Sequence, residues 1–189
     1  WEGHTLAIEP KEAKHEAITT AISLLTESAE RCRKEGLPVD IVSCGGTGSY
    51  WITARQPGVT EIQAGGGVLG DAMYLERFGV DHDCALRIIA TVTSRPTPDR
   101  VICDAGRKTM SVEPTTPQVQ GLSVTGAQFS AEHGVLTLAK PSEMPGVGDR
   151  LEFIAGYSDT TVFLHDTIYA TRAGVVESVW PLLGRGKLA

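Results

Sequence analysis

A long amphipathic helix is the clearest prediction from the pattern of hydrophobic and polar positions. Apolar side chains recur three or four positions apart and form one stripe along a helix. The stripe consists of Ile18, Ala21, Ile22, Leu25, Ala29 and Cys32. Pro10 suits a first turn, where the N–H that proline lacks would be unpaired, and Gly36 suits the left-handed residue that ends a helix. The pattern therefore predicts a helix over residues 10–36.

Two short strands, each running into a glycine-rich loop, follow this helix. The first, Val39–Ser43, leads into Cys44–Ser49. The second, Thr60–Gln63, leads into Ala64–Gly67. Short helical segments are predicted at residues 50–54 and 71–78. Strand, glycine loop and helix in alternation are typical of a parallel α/β fold.

The pattern changes after residue 80 to short strands separated by glycine and proline. Apolar side chains alternate with a period of two over residues 86–93, which indicates a strand. Further strands are predicted at 101–103, 119–125, 128–130, 135–139, 150–154, 167–171 and 175–180. We therefore predict two domains: residues 1–80, an α/β structure with glycine loops, and residues 81–189, an antiparallel β domain.

Composition and charge exclude several classes of protein. With 41% hydrophobic and 21% charged residues among 189, wholesale disorder is not expected. No apolar run approaches the roughly 20 residues that cross a bilayer. The net charge of −6 and the scattered lysines and arginines argue against nucleic acid as a partner. The four cysteines form no CxxC pair, so we expect reduced thiols and a cytoplasmic setting.

The glycine loops are the first candidates for chemistry. Glycine lets backbone N–H groups approach an anion closely. The loop at Gly45–Ser49 is neither a Walker motif nor GxGxxG, because Trp51 stands where the third glycine would be, so a tight turn is the alternative interpretation. Two such loops at the carboxyl ends of successive parallel strands converge, which favours a site for a phosphate-bearing ligand.

A second candidate lies between two predicted strands at residues 156–166. Tyr157, Asp159 and His165 stand there together with three hydroxyl side chains. Such a density of polar groups on a connection favours a functional role. The alternative is a structural connector in which Ser158 or Asp159 is a helix N-cap.

Several short segments, spread over nearly the whole chain, together resemble one family of enzymes. They are Ser43–Gly48, Thr60–Gly65, Asp104–Lys108, Glu132–Gly134, Gly148–Arg150, Thr160–Val162, Leu164–Asp166 and Val179–Pro181. In this order they resemble the D-threonine aldolase and D-serine dehydratase family of pyridoxal-phosphate enzymes. The resemblance covers about the C-terminal half of a family member.

The resemblance implies a fold, a cofactor and a reaction. The fold is the C-terminal part of an alanine-racemase-like (β/α) barrel, with its last units in residues 1–80, followed by an antiparallel β domain. The cofactor is pyridoxal phosphate, and the reaction is retro-aldol cleavage or dehydration of a small β-hydroxy D-amino acid, in a homodimer. The implied cofactor-binding residues are Gly45, Gly46, Thr47, Gln63, Gly65 and Gly66. The candidates for acid and base catalysis are Tyr157, Asp159 and His165, in an order that the sequence does not decide.

The chain departs from the family at the metal site. Family members ligate a divalent ion with a histidine and a cysteine or aspartate two residues apart, and here Tyr157 and Asp159 stand at those positions. A phenol is protonated at neutral pH and donates hydrogen bonds. We therefore predict no tightly held transition metal, and any weakly held divalent ion would use Asp159.

A second departure concerns the cofactor lysine. In the family it lies on the first barrel strand, and none of the six lysines here stands in that context. The chain also opens at Trp1 without an initiator methionine, so we expect a piece of a longer protein. The alternative to an enzyme is therefore a non-catalytic fragment or interaction half that requires a separate, lysine-bearing barrel half.

Overall fold

The computed structural model describes residues 1–187, which form two compact units. One unit is Trp1–Gly70 with Tyr74–Asp83, and the other is Asp71–Met73 with the chain from Cys84 onward. The helices are α1 (Lys11–Lys34), α2 (Tyr50–Thr53), α3 (Ala72–Phe78) and α4 (Ser158–Val162), with 3-10 turns at Gly3–Thr5 and Gly65–Val68. The strands are β1 (Ser43–Cys44), β2 (Glu61–Ile62), β3 (Ile88–Thr97), β4 (Arg100–Cys103), β5 (Gln118–Val119), β6 (Val124–Phe129), β7 (Gly134–Leu138), β8 (Arg150–Ile154), β9 (Thr167–Arg172) and β10 (Val175–Pro181).

Helix α1 confirms the predicted amphipathic helix, although it spans Lys11–Lys34 and Pro10 precedes its first turn. Pro10 is its N-cap. At the other end Gly36 has a φ of +76°, and the N–H of Leu37 donates to the Cys32 carbonyl oxygen at 3.0 Å. This is the hydrogen-bonding pattern with which a left-handed glycine ends a helix. Within residues 1–187, neither α1 nor any other helix has the length and apolar character to span a bilayer.

The first unit has a small core beneath α1. Ile18, Ile22, Cys44 and Ile52 are buried together there. Strands β1 and β2 pair in parallel, as the sequence predicted, and a glycine loop follows each of them. The first strand is shorter than predicted, because only Ser43 and Cys44 pair with β2 and Ile41 is 65% exposed. A segment forms a strand only where it hydrogen-bonds to a neighbouring strand. Among the described residues β2 is the sole neighbour of β1, so the short β2 limits the length of β1.

The second unit confirms the predicted antiparallel strands. Six of them form one sheet in the order β5-β8-β3-β4-β7-β6, and β9 and β10 form a separate hairpin. In β3 the predicted alternation places Ile88, Ala90 and Val92 in the core. Phe153 of β8 is fully buried in the same core. Alternate side chains of these strands therefore share one packed face.

A short piece of the α/β part of the sequence packs with this second unit. The N–H of Ala72 donates to the Ala155 carbonyl oxygen at 3.0 Å, and the N–H of Met73 donates to that of Gly156 at 3.1 Å. Asp71–Met73 is therefore bound to the chain just after β8, far away in sequence.

Replacing Gly156 with alanine should destabilise this unit. An added Cβ would lie well inside van der Waals contact with the carbonyl oxygen of Thr115 and 2.7 Å from that of Ser111. We expect the free energy of unfolding, measured by urea denaturation, to fall by about 2 to 3 kcal/mol. Gly126→Ala is the matched control, since a Cβ there would meet only the Thr137 side chain, at 3.9 Å. Equal stability of the two variants would contradict the packing around Gly156.

Candidate functional site

The two glycine loops of the first unit are tied directly to each other. The N–H of Gly67 in the second loop donates to Thr47 Oγ1 in the first at 3.0 Å. The first loop begins with Gly45, whose φ of +83° favours glycine. A Cβ at Gly45 would also lie 2.7 Å from the Ile62 side chain. The loops are therefore held close together, with glycine required where the first one turns.

Three consecutive backbone N–H groups of the first loop have no acceptor in the described part of the chain. They belong to Gly46, Thr47 and Gly48. Thr47 and Gly48 are buried, and buried N–H groups without an acceptor are rare in folded proteins. Consecutive N–H groups in a glycine loop are well suited to bind an anion.

The backbone of the second loop is already engaged. The N–H of Gln63 donates to the carbonyl oxygens of Cys44 at 3.1 Å and Gly45 at 3.0 Å, and the N–H of Gly65 donates to the Gln63 carbonyl oxygen at 2.9 Å. The exposed Gln63 side chain donates from Nε2 to Ser43 Oγ at 2.9 Å. The N–H groups of Gln63 and Gly65 therefore hold the loop in shape.

Aromatic side chains that the sequence reasoning missed border the second loop. A Cβ on Gly66 would lie 2.7 Å from the Tyr74 ring, and one on Gly67 would lie 3.3 Å from the His82 ring. His82 Nε2 and Tyr50 Oη are hydrogen-bonded at 2.9 Å. Glycine is needed here because the rings occupy the space that larger side chains would fill.

A buried carboxylate is the main feature of this region that the sequence reasoning missed. Glu2 is fully buried. Its Oε1 accepts hydrogen bonds from Ser49 Oγ at 2.6 Å and Thr53 Oγ1 at 2.7 Å, and its Oε2 accepts one from the N–H of Gly45 at 3.4 Å. The sequence signal was slight: Ser49 and Thr53 are four residues apart and so share one face of a helical turn.

These hydrogen bonds decide the charge state of Glu2. Burial acts to raise its pKa, but the donors Ser49, Thr53 and Gly45 outweigh burial and hold the pKa of Glu2 below its ordinary value. A pKa that is lower in the folded state adds stability at neutral pH, and this stability is lost as the pH falls through the folded-state pKa.

In the second unit, two of the predicted residues are in contact. The phenol of Tyr157 donates a hydrogen bond to Asp159 Oδ2 at 2.7 Å. Asp159 is exposed and lies in the first turn of α4. Phenol and carboxylate therefore form a pair in which the phenol is the donor.

The hydroxyl groups beside this pair have different environments. Ser158 donates from both its N–H and its Oγ to Asp71 Oδ2 at 2.8 Å, and Asp71 is fully buried. The N-cap of α4 is Tyr157, so the alternative in which Ser158 or Asp159 is the N-cap is wrong. The carboxylate that meets the first N–H of the helix comes from Asp71. Thr160 Oγ1 is buried and has no hydrogen-bond partner in the described residues.

His165 is held by a different part of the unit. Its Nε2 lies 2.7 Å from the Thr109 carbonyl oxygen. A carbonyl oxygen only accepts, so Nε2 carries the hydrogen and Nδ1 is the basic nitrogen of the neutral ring. The structure gives no hydrogen bond between His165 and either Tyr157 or Asp159.

The donor set around Asp159 does not fit a transition metal. The group that hydrogen-bonds to Asp159 is the protonated phenol of Tyr157. Transition-metal ions instead prefer imidazole or thiolate ligands. Within residues 1–187, no cluster of three or more histidine, cysteine, aspartate or glutamate side chains is placed to hold a metal ion.

Comparisons with known proteins found similar sequences over nearly the whole chain. A family model described as "Putative serine dehydratase domain" matches residues 85–171. The D-threonine aldolase of an Arthrobacter species is 33% identical over 190 residues, which cover 98% of this chain and 50% of that protein. A 3-hydroxy-D-aspartate aldolase of Paracoccus denitrificans (strain Pd 1222) is 34% identical and is covered to 49%. The chain is therefore similar to about half of a D-threonine aldolase and of a 3-hydroxy-D-aspartate aldolase.

The chain spans about half the length of the family relatives that it matches. The crystal structure of D-threonine aldolase from Filomicrobium marinum superposes with a TM-score of 0.89 at 24% identity, over 99% of this chain and 53% of that one. The fold is therefore the C-terminal part of an alanine-racemase-like barrel followed by an antiparallel β domain, as the resemblance implied.

Replacing Glu2 with glutamine should destabilise the first unit. The amide leaves one acceptor oxygen for the donors that now share the carboxylate, so we expect a loss of about 1 to 3 kcal/mol at pH 7 in urea denaturation. The difference in the free energy of unfolding between wild type and the variant should become smaller as the pH is lowered through the acidic range, because protonation of Glu2 weakens the wild type. Glu27→Gln, on an exposed position of α1, is the control and should change stability by less than about 0.5 kcal/mol. A difference that widens on acidification would contradict the ionised, hydrogen-bonded state of Glu2.

Proposed function

We propose that this chain is part of a pyridoxal-phosphate-dependent lyase that cleaves or dehydrates a β-hydroxy D-amino acid. The observation that carries the proposal is the row of unpartnered N–H groups at Gly46, Thr47 and Gly48. It occurs in a chain similar to proteins named as a D-threonine aldolase and a 3-hydroxy-D-aspartate aldolase. Both names describe the cleavage of a carbon–carbon bond beside a β-hydroxyl group.

The first glycine loop is the proposed phosphate site. The N–H groups of Gly46, Thr47 and Gly48 fit the oxygens of a phosphate, since they lack protein acceptors. Gly45 and the second loop, with Gln63, Gly65 and Gly66, shape the site. Bound there, pyridoxal phosphate supplies an electron sink for the bond that breaks in the substrate.

The pair Tyr157 and Asp159 is the proposed acid–base group. Retro-aldol cleavage needs a base at the β-hydroxyl, and dehydration needs a base at Cα and an acid for the leaving hydroxide. The Tyr157 oxygen accepts a hydrogen bond from the substrate hydroxyl and orients it. As the hydroxyl proton passes to the phenol oxygen, the proton of the phenol passes to the exposed Asp159, which is the final acceptor. His165 offers Nδ1 as a second base, because its Nε2 is engaged with Thr109.

No step of the proposed reaction uses a metal ion. Asp159 Oδ2 accepts a hydrogen bond from the Tyr157 phenol, so the group paired with this carboxylate is a phenol and not an imidazole that would ligate a metal. We propose that the phenol and carboxylate together take the place of a divalent ion by accepting the proton of the substrate hydroxyl. The activity is therefore expected to persist in the presence of chelators.

A homodimer is part of the proposal. The hairpin β9–β10 exposes a row of large apolar side chains, each more than half exposed: Tyr169, Val175, Val176, Val179 and Trp180. Exposed apolar patches of this kind are typical of interaction surfaces. Light scattering of the purified protein measures the oligomeric state directly, and a monomer at all concentrations would contradict this part of the proposal.

The second candidate function is an interaction half that requires a separate barrel half. A groove of about 730 Å³ along α1 favours it, with Trp1 and Leu24 exposed to 64% and 63%. The intact mass of the native gene product separates the two candidates. A longer protein with an upstream lysine supports the enzyme, and a 189-residue product supports the interaction half.

Thr47→Val tests the phosphate site. It removes the Oγ1 that accepts the Gly67 N–H, so the first loop loses its tie to the second. In the protein that its gene encodes, we expect pyridoxal phosphate to bind about tenfold more weakly, and pyridoxal, which lacks the phosphate, to bind as in wild type. Fluorescence titration measures both. The control is Thr125→Val at an exposed position of β6. Equal weakening of both ligands would contradict a role in phosphate binding.

Tyr157→His tests the proposed replacement of the metal. The variant provides an imidazole two residues from Asp159, which is a donor set that transition metals prefer. We expect it to retain manganese or zinc after gel filtration, measured by elemental analysis, and wild type to retain none. Tyr169→His, at an exposed position of β9, is the matched control. Stoichiometric metal on wild type would overturn the proposal.

A further inference from the structure

A cationic cavity lies in the first unit, away from the glycine loops. Its volume is about 320 Å³, at the lower end of the range of about 300 to 1,000 Å³ for small-molecule sites. It is lined by Lys11, Lys14, His15, Trp51, Arg55 and Phe78, among others. No lining residue is acidic, and none belongs to either glycine loop. In a protein with a net charge of −6, such a concentration of positive charge needs an explanation.

Lys14 is the unusual member of this cavity. Its side chain is 7% exposed, although lysine is almost never buried without a paired charge. The ammonium donates one hydrogen bond, to the Phe78 carbonyl oxygen at 3.1 Å. It lies 5.8 Å from the Trp51 ring centroid and 5.9 Å from that of Phe78. In the described residues no carboxylate lies within ion-pair distance of it, so two of its three donors lack a protein acceptor.

The electrostatic environment of Lys14 shows the same lack of a counter-charge. Burial lowers the pKa of Lys14, exposed Glu9 acts in the opposite direction, and Lys11 lowers it further. The nearby carboxylate is therefore too weakly coupled to compensate for burial. Lys11 is the first residue of α1, so the positive end of the helix dipole adds to the same field.

We propose that this cavity binds the phosphate group of a small molecule. Lys11, Lys14 and Arg55 supply three positive charges around one space, which suits a group with two negative charges and several acceptor oxygens. The aromatic rings of Trp51 and Phe78 form the apolar wall that a small organic phosphate also needs. When a phosphate group is bound, its oxygens accept hydrogen bonds from the two remaining N–H groups of the Lys14 ammonium, and its negative charge pairs with that ammonium.

The test is a titration of the isotope-labelled protein, as its gene encodes it, with inorganic phosphate, followed by NMR. We expect saturable shifts of the Trp51 indole signal and of the Lys14 Cε signal. Shifts confined to the amides of Gly45–Gly48 would instead place the anion at the first glycine loop, and this would overturn the proposal without affecting the proposed function. Titration with malonate tests the ligand class, since tighter binding of a dicarboxylate than of phosphate would also overturn it.

Variants test which positive charges of the cavity bind phosphate. Lys14→Met keeps the apolar stem and removes the ammonium, and Arg55→Gln removes a positive charge at an exposed position. Each should weaken phosphate binding by about tenfold or more. Lys34→Met, an exposed lysine at the far end of α1, is the control and should bind as wild type. Unchanged affinity in both cavity variants, or equal loss in the control, would overturn the proposal.

Discussion

The buried carboxylate of Glu2 holds the first glycine loop in its conformation. A loop rich in glycine has many accessible conformations, so an anchor is needed to keep its N–H groups pointing in one direction. Glu2 supplies it by accepting hydrogen bonds from Ser49, Thr53 and the N–H of Gly45. The N–H groups that follow, from Gly46 to Gly48, are left without acceptors. A negative charge inside the protein thus orders the loop, while the neighbouring donors stay available for a second anion.

The second unit uses a buried carboxylate in a similar way. Asp71 accepts two hydrogen bonds from Ser158 at the beginning of α4. This fixes the short helix that carries Asp159 and leaves Tyr157 to pair with that carboxylate. A helix of five residues has little stability by itself, so its position depends on such tertiary contacts. The position of Tyr157 and Asp159 therefore depends on a residue more than eighty positions earlier in the chain.

The pair of Tyr157 and Asp159 also changes the chemistry available at this point. A phenol hydrogen-bonded to a carboxylate can orient a hydroxyl group and share its proton. An imidazole at the same position would favour a metal ion, which polarises the hydroxyl through its charge. In the proposed reaction, hydrogen bonding by this pair takes the place of electrostatic activation by a metal ion, within a fold that superposes on that of a D-threonine aldolase.

The sequence by itself determined the local elements of this protein. The period of the apolar residues in α1 and the alternation in β3 predicted those elements, because side-chain burial follows the geometry of a helix or a strand directly. Glycine-rich segments after two strands pointed to the loops, and the spacing of Tyr157 and Asp159 set them within reach of each other. Only the tertiary structure decided the roles of Glu2, Asp71 and Lys14. Each is a charged residue that a pattern assigns to the surface, and each is buried because its partners come from elements that are distant in sequence. Hydrogen bonds to such charges depend on which segments meet in space, and no local period records that.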